Sequence, residues 1–136
     1  MAPRYLLDTN ICIYVRRRRP LEIHARFSRL RTGEAALSLV TYGELMYGAA
    51  RSRPAPPRAA ERIQEFLDLM EILPPPIEAG RKYGEIRALL ESKGQVIGNN
   101  DLWIAAHAIS ADLILVTNNE REFRRVPDLK IENWTK

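Results

Sequence analysis

Short apolar runs alternate with longer amphipathic segments along this chain, and this alternation restricts the fold more than any other feature of the sequence. Five runs are predicted to be strands, at 5–7, 35–40, 71–73, 113–116 and 129–133. Between them, apolar side chains recur at steps of three and four residues, as at Ile63, Phe66, Leu67 and Met70, which is the spacing of an amphipathic helix. Strands separated by helices predict an α/β fold, an α/β/α sandwich with a mainly parallel central sheet.

Length and composition agree with a globular domain. We expect one domain over 1–136, because a chain of 136 residues can bury a sizeable core. With 21 Lys and Arg against 17 Asp and Glu, the net charge of +4 suits a polyanionic partner. Cys12 is the single cysteine, so no disulfide can form within the chain, and the cytoplasm is the expected compartment. No run approaches the ~20 apolar residues of a membrane span, so no membrane partner is expected.

Four polar residues stand where a predicted strand ends or the next helix begins: Asp8, Glu44, Asp101 and Asn119. The carboxyl ends of parallel strands share one edge of the sheet, so these side chains can converge although they are far apart in the sequence. Two carboxylates about 4 Å apart repel by ~4 kcal/mol at an effective dielectric constant near 20. Three such pairs would remove most of the ~5–15 kcal/mol by which a domain is stable. Convergence therefore predicts a bound cation, or carboxyl groups that do not all ionise.

An oxygen-only site with few protein ligands favours Mg²⁺, for which Mn²⁺ can substitute. Such an ion can activate a water molecule and neutralise charge on a scissile phosphate. Hydrolysis of phosphodiester bonds is the chemistry that this site would support.

Helix capping is the alternative explanation for three of these residues. Thr41 and Glu44 have the spacing of a capping box, Asp101 can cap a helix that begins near Leu102, and Asn119 with Glu122 has capping-box spacing again. Asp8 follows three apolar residues and has no capping duty as clear, which favours a functional role. Capping and metal binding are also compatible, because a helix start holds a ligand rigidly.

Other hydrolytic and nucleotide-binding sites lack their residues in this sequence. A nucleophilic serine or cysteine needs a neighbouring base, and the two histidines, His24 and His107, are better explained as surface or packing residues. Several closely spaced Cys or His ligands would be needed for zinc and are absent from the sequence. Neither GxGxxG nor GxxxxGK[ST] follows a strand.

Ordered motifs along the chain resemble those of the PIN-domain nucleases, and most closely the VapC toxins of bacterial type II toxin-antitoxin pairs. They are Leu7-Asp8-Thr9-Asn10, Ser38 followed by Glu44-Leu45-Met46-Tyr47-Gly48-Ala49, Ile97-Gly98 before Asp101, and Val116-Thr117-Asn118-Asn119 with Phe123. The resemblance implies a PIN-like sandwich and a toxic, Mg²⁺-dependent endoribonuclease that cuts tRNA or another structured RNA through a metal-activated water.

The same resemblance implies roles for individual residues. Asp8 and Asp101 would hold the metal, and Glu44 would complete the acidic site and help to position the attacking water. Thr9 would support Asp8 with its hydroxyl, and Thr117 would be a further supporting residue. Many family members carry a fourth acid where this chain has Asn119. An amide oxygen can still bind a metal or its water, so Asn119 stays in the predicted site with one charge fewer.

Partners also follow from the resemblance: an RNA substrate, a VapB-type antitoxin and a second copy of the chain in a homodimer. Candidate contacts for the RNA backbone are Arg16, Arg17, Arg51 and Arg53. A candidate docking surface for the antitoxin combines Tyr42, Met46, Tyr47, Phe66 and Met70, which can equally be core residues. Two alternative functions stay open, namely a PIN-domain nuclease outside toxin-antitoxin systems and a catalytically inactive RNA-binding module.

Overall fold

A computed structural model describes residues 2–51 and 59–135 of the chain. The strands in these ranges are β1 (Tyr5–Leu7), β2 (Ala35–Ser38), β3 (Glu71–Leu73), β4 (Ile114–Val116) and β5 (Ile131–Glu132). The helices are α1 (Thr9–Arg17), α2 (Leu21–Ser28), α3 (Leu39–Arg51), α4 (Ala59–Leu67), α5 (Glu78–Ser92), α6 (Asn99–Ser110) and α7 (Glu120–Phe123). None of the described helices is long and apolar enough to cross a membrane. Arg53 lies outside the described residues.

The five strands form one sheet in the order β3-β2-β1-β4-β5, and every described pair of neighbours is parallel. The chain builds the sheet outward from β1 through β2 to β3, then returns to the other side of β1 for β4 and β5. The register places Leu7 beside Val116, so β1 and β4 end side by side. A change in the direction of winding between two adjacent strands opens a crevice at their carboxyl ends, where α/β proteins bind ligands.

Helices cover both faces of the sheet, as the alternation of strands and helices predicts. Tyr5 and Leu7 point into one core, which is closed by residues of α1 to α4. Leu6 points into the opposite core, which is closed by α5, α6 and α7. Consecutive residues of a strand face opposite sides of the sheet, so a strand buried on both faces is continuously apolar.

Two helices begin earlier than the sequence predicts. The run 35–40 was expected to be strand throughout, but β2 ends at Ser38 and α3 begins at Leu39. The Ser38 hydroxyl accepts a hydrogen bond from the backbone N–H of Val40 (3.2 Å), which satisfies a donor at the helix start. Likewise α6 begins at Asn99, with Gly98 preceding it in extended conformation. These boundaries decide which acids can act as caps.

Candidate active site

Asp8 lies at the carboxyl end of β1 and caps α1. Its Oδ1 accepts a hydrogen bond from the backbone N–H of Ile11 (2.9 Å), and only 5% of the residue is exposed. The sequence-based view that Asp8 has no clear capping duty was therefore wrong: a charge that follows a buried strand meets the first turn of the next helix. Capping occupies one carboxylate oxygen and fixes the side chain, which leaves the second oxygen able to bind a ligand.

Thr117 lies beside Asp8 because β1 and β4 are in register up to Leu7 and Val116. The Thr117 hydroxyl accepts a hydrogen bond from the backbone N–H of Asn119 (3.0 Å). Its own proton is then available to Asp8, and this side-chain hydrogen bond lowers the pKa of Asp8. Thr117 is fully buried, so the pair is held rigidly.

Glu44 reaches the site from α3. It is the sixth residue of that helix, and since α3 begins at Leu39 rather than at Thr41, the predicted capping box of Thr41 and Glu44 is wrong. Glu44 Oε1 instead accepts a hydrogen bond from the Thr9 hydroxyl at 2.5 Å. Thr9 was predicted to support Asp8, and its hydroxyl supports Glu44. The bond joins the first residue of α1 to the middle of α3.

Asp101 belongs to the first turn of α6. It is the third residue of the helix, so the prediction that it caps a helix starting near Leu102 is also wrong. A methyl group built on Gly98 would lie 3.8 Å from Asp101 Oδ2. Because glycine has no side chain, this approach to the carboxylate is open.

Both aspartates resist ionisation in the metal-free protein. The pKa of Asp8 is raised from its ordinary value of 3.8 to about 6, mainly by burial and further by the charges of Asp101 and Glu44. Burial also raises the pKa of Asp101 to about 6, and the charges of Glu44 and Glu122 add to it. The structure thus brings Asp8, Glu44 and Asp101 close enough for their charges to interact. Perturbed carboxyl groups of this kind mark candidate active sites.

Glu122 lies close enough to Asp101 for their charges to interact, and Asn119 contacts Glu122. Asn119 precedes α7, but its side chain makes no capping hydrogen bond, so the predicted second capping box is wrong. Its Nδ2 donates instead to Glu122 Oε2 at 3.2 Å. The sequence had offered Glu122 only as a capping partner, whereas its charge acts on Asp101. The spacing of three residues that suggested a capping box was a signal that the two side chains meet.

The donor atoms of the site suit a hard divalent cation. Among the described residues, no three Asp, Glu, His or Cys side chains form a complete ligand set by themselves. Mg²⁺ does not require one, because it commonly binds through one or two carboxylates and completes its shell with water and substrate phosphate. The softer donors nearby are not available: burial raises the pKa of the Cys12 thiol, and His107 is hydrogen-bonded to Ser38.

The predicted RNA-binding arginines lie away from the acids. Arg16 and Arg17 are exposed in the last turn of α1, about 12 Å along the helix axis from Asp8. Arg51 is exposed at the end of α3, where its guanidinium lies 5.5 Å from the centre of the Tyr47 ring. None of these three therefore belongs to the catalytic cluster itself.

The predicted docking surface on α3 and α4 is mostly core. Phe66 and Met70 are buried, and Tyr42 and Met46 pack against the same core, while Tyr47 is 65% exposed. An open cleft of about 960 Å³ lies instead among α1, α2 and α4. Among the residues that the structure describes, five arginines line it: Arg16, Arg17, Arg18, Arg31 and Arg62. Its apolar lining consists of Val15, Phe27, Leu30, Ala35, Phe66 and Leu69.

Known proteins resemble the chain over almost its whole length. Residues 5–129 match the PIN domain family. Ribonuclease VapC2 of Haemophilus influenzae is 48% identical over 131 residues, which are 96% of this chain and 98% of the relative. The tRNA(fMet)-specific endonuclease VapC of Salmonella typhimurium is 41% identical, with the same shares covered. A crystal structure of DNA-bound VapBC from Salmonella typhimurium matches with a TM-score of 0.88 and 41% identity, covering 97% of this chain and 98% of that one.

Proposed function

The chain belongs to the VapC ribonucleases of the PIN-domain family, and from this we propose that it is the toxic endoribonuclease of a type II toxin-antitoxin pair, using Mg²⁺ held by Asp8 and Asp101. One observation supports the chemistry above all: two carboxyl groups from distant strands and helices meet at the end of the sheet with pKa values raised to about 6. A divalent cation held by these two residues would offset the repulsion between their charges.

Mg²⁺, when bound, would supply Lewis-acid chemistry and lower the pKa of a water molecule, with Mn²⁺ able to replace it. The protein provides rigid oxygen ligands for it. Asp8 is fixed by the Ile11 N–H and by Thr117. Asp101 is carried by the first turn of α6, and Gly98 adds no side chain beside its carboxylate.

Glu44 is the proposed partner of the attacking water. The Thr9 hydroxyl occupies Oε1, so the other oxygen can orient the water and accept its proton. We also propose Asn119 as a site residue. Glu122 accepts a hydrogen bond from the Asn119 amide and so orients it. Because water attacks rather than the ribose 2′-hydroxyl, the products carry 5′-phosphate and 3′-hydroxyl ends.

We propose tRNA as the substrate class. The support is the relative named tRNA(fMet)-specific endonuclease, which aligns with 96% of this chain. Arg51, and Arg53 beyond the described residues, are the proposed contacts for the phosphate backbone. Arg16 and Arg17 are candidates for the same contact, but they line the cleft, and charge reversal at Arg17 distinguishes an RNA contact from an antitoxin contact.

The direct test is cleavage of a tRNA pool, with mapping of the product ends. We expect cutting in Mg²⁺ or Mn²⁺, loss of cutting in chelator, and 5′-phosphate ends on the downstream fragments. Initiator and elongator methionine tRNAs, compared in parallel, test whether the specificity of the relative extends to this chain. Fragments with 2′,3′-cyclic phosphates would contradict the mechanism.

The arginine-lined cleft is the proposed docking site of the VapB-type antitoxin. In the described ranges its wall combines exposed apolar surface, including Leu69 at 57% exposure, with five arginines and one acid, Glu65. A peptide segment with acidic and large apolar side chains complements both features. A bare RNA backbone would leave the apolar surface uncovered. We also propose a homodimer, which sedimentation at several concentrations tests.

The two alternative functions make different predictions. A catalytically inactive RNA-binding module should bind Mn²⁺ feebly or not at all, which calorimetric titration measures. A nuclease outside toxin-antitoxin systems would cut RNA without inhibiting growth and would have no small partner. A short upstream reading frame that overlaps the start of the gene would support the toxin function if the small protein it encodes blocks cleavage.

A further inference from the structure

A buried hydrogen bond joins the last residue of β2, directly before the Glu44 helix, to the helix that carries Asp101. Ser38 Oγ and His107 Nδ1 are 2.9 Å apart, and the two residues are 0% and 1% exposed. They are 69 positions apart in the sequence, so the contact exists only in the folded chain. Neither residue belongs to the catalytic cluster described above.

The direction of the proton follows from the neighbours of Ser38. Its oxygen accepts a hydrogen bond from the Val40 N–H, so its own hydrogen can be donated to His107 Nδ1. In that direction the imidazole is neutral and carries its proton on Nε2. Burial also lowers the pKa of His107, in agreement with a neutral ring.

The hydrogen bond occupies a particular place in the fold. Ser38 ends β2 and leads without a loop into α3, whose sixth residue is Glu44. His107 lies on α6, six residues after Asp101, or about 9 Å along the helix axis. Helices α3 and α6 also pack against each other. The contact therefore fixes the start of the Glu44 helix against the helix of Asp101.

The hydrogen bond between Ser38 and His107 opposes the repulsion between two active-site carboxylates. Glu44 and Asp101 carry like charges, and the charge of Glu44 acts on Asp101. Without a tie between their helices, the two carboxylates would lower their energy by moving apart. We propose that Ser38 and His107 are positioning residues that keep the Glu44 helix next to Asp101, so that the acidic cluster stays assembled for a divalent cation. This inference rests on the proposed metal-dependent function.

A purely structural role is the competing explanation, and Thr41 provides the matched control. Thr41 is a fully buried residue of α3, and its hydroxyl has no hydrogen-bond partner in the part of the chain that the structure describes. Thr41→Val thus removes a buried hydroxyl from the same helix without breaking a tie to α6. We expect this change to leave metal affinity unaltered.

The experiment titrates Mn²⁺ alone into the folded full chain by calorimetry. Ser38→Ala and His107→Leu should each weaken Mn²⁺ binding by about tenfold, the scale of loss when the support of a metal ligand is removed. The double variant should lose little more than either single one, because both remove the same bond. Ser38→Thr and His107→Asn, which keep a polar atom near each position, should restore most of the affinity. Urea unfolding of each metal-free variant separates these losses from global instability.

Two outcomes are decisive against the inference. Equal Mn²⁺ affinity in the wild type, Ser38→Ala and His107→Leu would overturn it, even if the variants are less stable. Absence of Mn²⁺ binding in the wild type would overturn the proposed metal site, and this inference with it. If His107→Leu does not fold, Ser38→Ala decides alone, since it removes a single oxygen atom.

Discussion

The Thr9 hydroxyl donates a hydrogen bond to Glu44 Oε1 across 2.5 Å, and so connects the helix that Asp8 caps with the helix that carries the third acid. An O–H···O⁻ bond of this length is at the short, strong end of charge-assisted hydrogen bonds. Glu44 is only partly buried, so without this bond its side chain could adopt other rotamers. Thr9 therefore determines where a flexible carboxylate points, and this position is open to a direct test.

Thr9→Val should lower kcat by about tenfold while changing the free energy of unfolding little. The methyl group replaces the hydroxyl at similar volume, so packing is kept and only the orientation of Glu44 is lost. Steady-state cleavage of a tRNA substrate measures kcat and KM separately. Thr9→Ser keeps the hydroxyl and should retain activity. A Thr9→Val protein with wild-type kcat would show that the bond does not orient Glu44 for catalysis.

Asp8→Asn and Asp101→Asn should each abolish cleavage, by at least about 10³-fold, because each removes a charged ligand of the cation. Asp8→Asn should also raise the free energy of unfolding of the metal-free protein, by about 3 kcal/mol at pH 7.5, since it removes a buried charge while the amide oxygen can still cap α1. Urea unfolding in chelator measures this.

Asp128→Asn is the control for these substitutions, because Asp128 is an exposed residue with φ of 68°, which asparagine tolerates. It should change neither activity nor stability. Full cleavage by either Asp8→Asn or Asp101→Asn would refute the proposed metal site.

The stability of the metal-free protein should fall as the pH rises from about 4 to about 6. Asp8 and Asp101 have pKa values near 6 in the folded chain and about 3.8 when unfolded, so within this window the folded state binds more protons. Deprotonation then favours the unfolded state, and the loss is complete above pH 7. Urea midpoints across this pH range measure the effect, and Asp8→Asn should flatten the profile. A profile that rises over this range would contradict the pKa values.

Added Mg²⁺ should reverse this trend, because the cation binds the deprotonated carboxylates. Its apparent affinity should increase as the pH passes 6, and saturating metal should stabilise the fold, by about 2.7 kcal/mol at 100 times Kd. Thermal unfolding with and without Mg²⁺ at pH 5 and pH 7.5 gives the comparison. No difference between the two pH values would contradict binding to Asp8 and Asp101.

The sequence predicts the parallel sheet, and polar residues at its edge, because strand ends depend on local signals. An apolar run followed by a polar residue marks the end of a buried strand, and parallel strand ends share an edge. The start of α3 was misplaced because Leu39 and Val40 are apolar and prolong the strand pattern. A hydrogen bond from Val40 to Ser38 ends the strand, and Ser38 is held by His107, a contact that only the tertiary structure provides.

The docking surface and Glu122 were misjudged for a related reason. The apolar stripe that includes Phe66 and Met70 shows that one face of α4 is buried, but not what covers it, and the core of the chain itself does so. Glu122 has the spacing of a capping partner, and its interaction with Asp101 depends on how α7 meets α6. Periodicity reveals which face is buried, whereas the identity of the neighbour depends on long-range packing.

Charge reversal in the cleft separates its two proposed partners. If the cleft binds the antitoxin, Arg17→Glu should weaken antitoxin binding by about tenfold or more and leave tRNA cleavage unchanged. Arg29→Glu is the control, because Arg29 is exposed next to α2 but does not line the cleft. Calorimetry measures the affinity for the antitoxin. Titration of tRNA into the Asp8→Asn protein over a range of salt concentrations measures the affinity for RNA and its salt dependence. A salt slope smaller by about 0.7 to 0.9 in Arg17→Glu, with antitoxin binding unaltered, would assign the arginine to the RNA backbone instead.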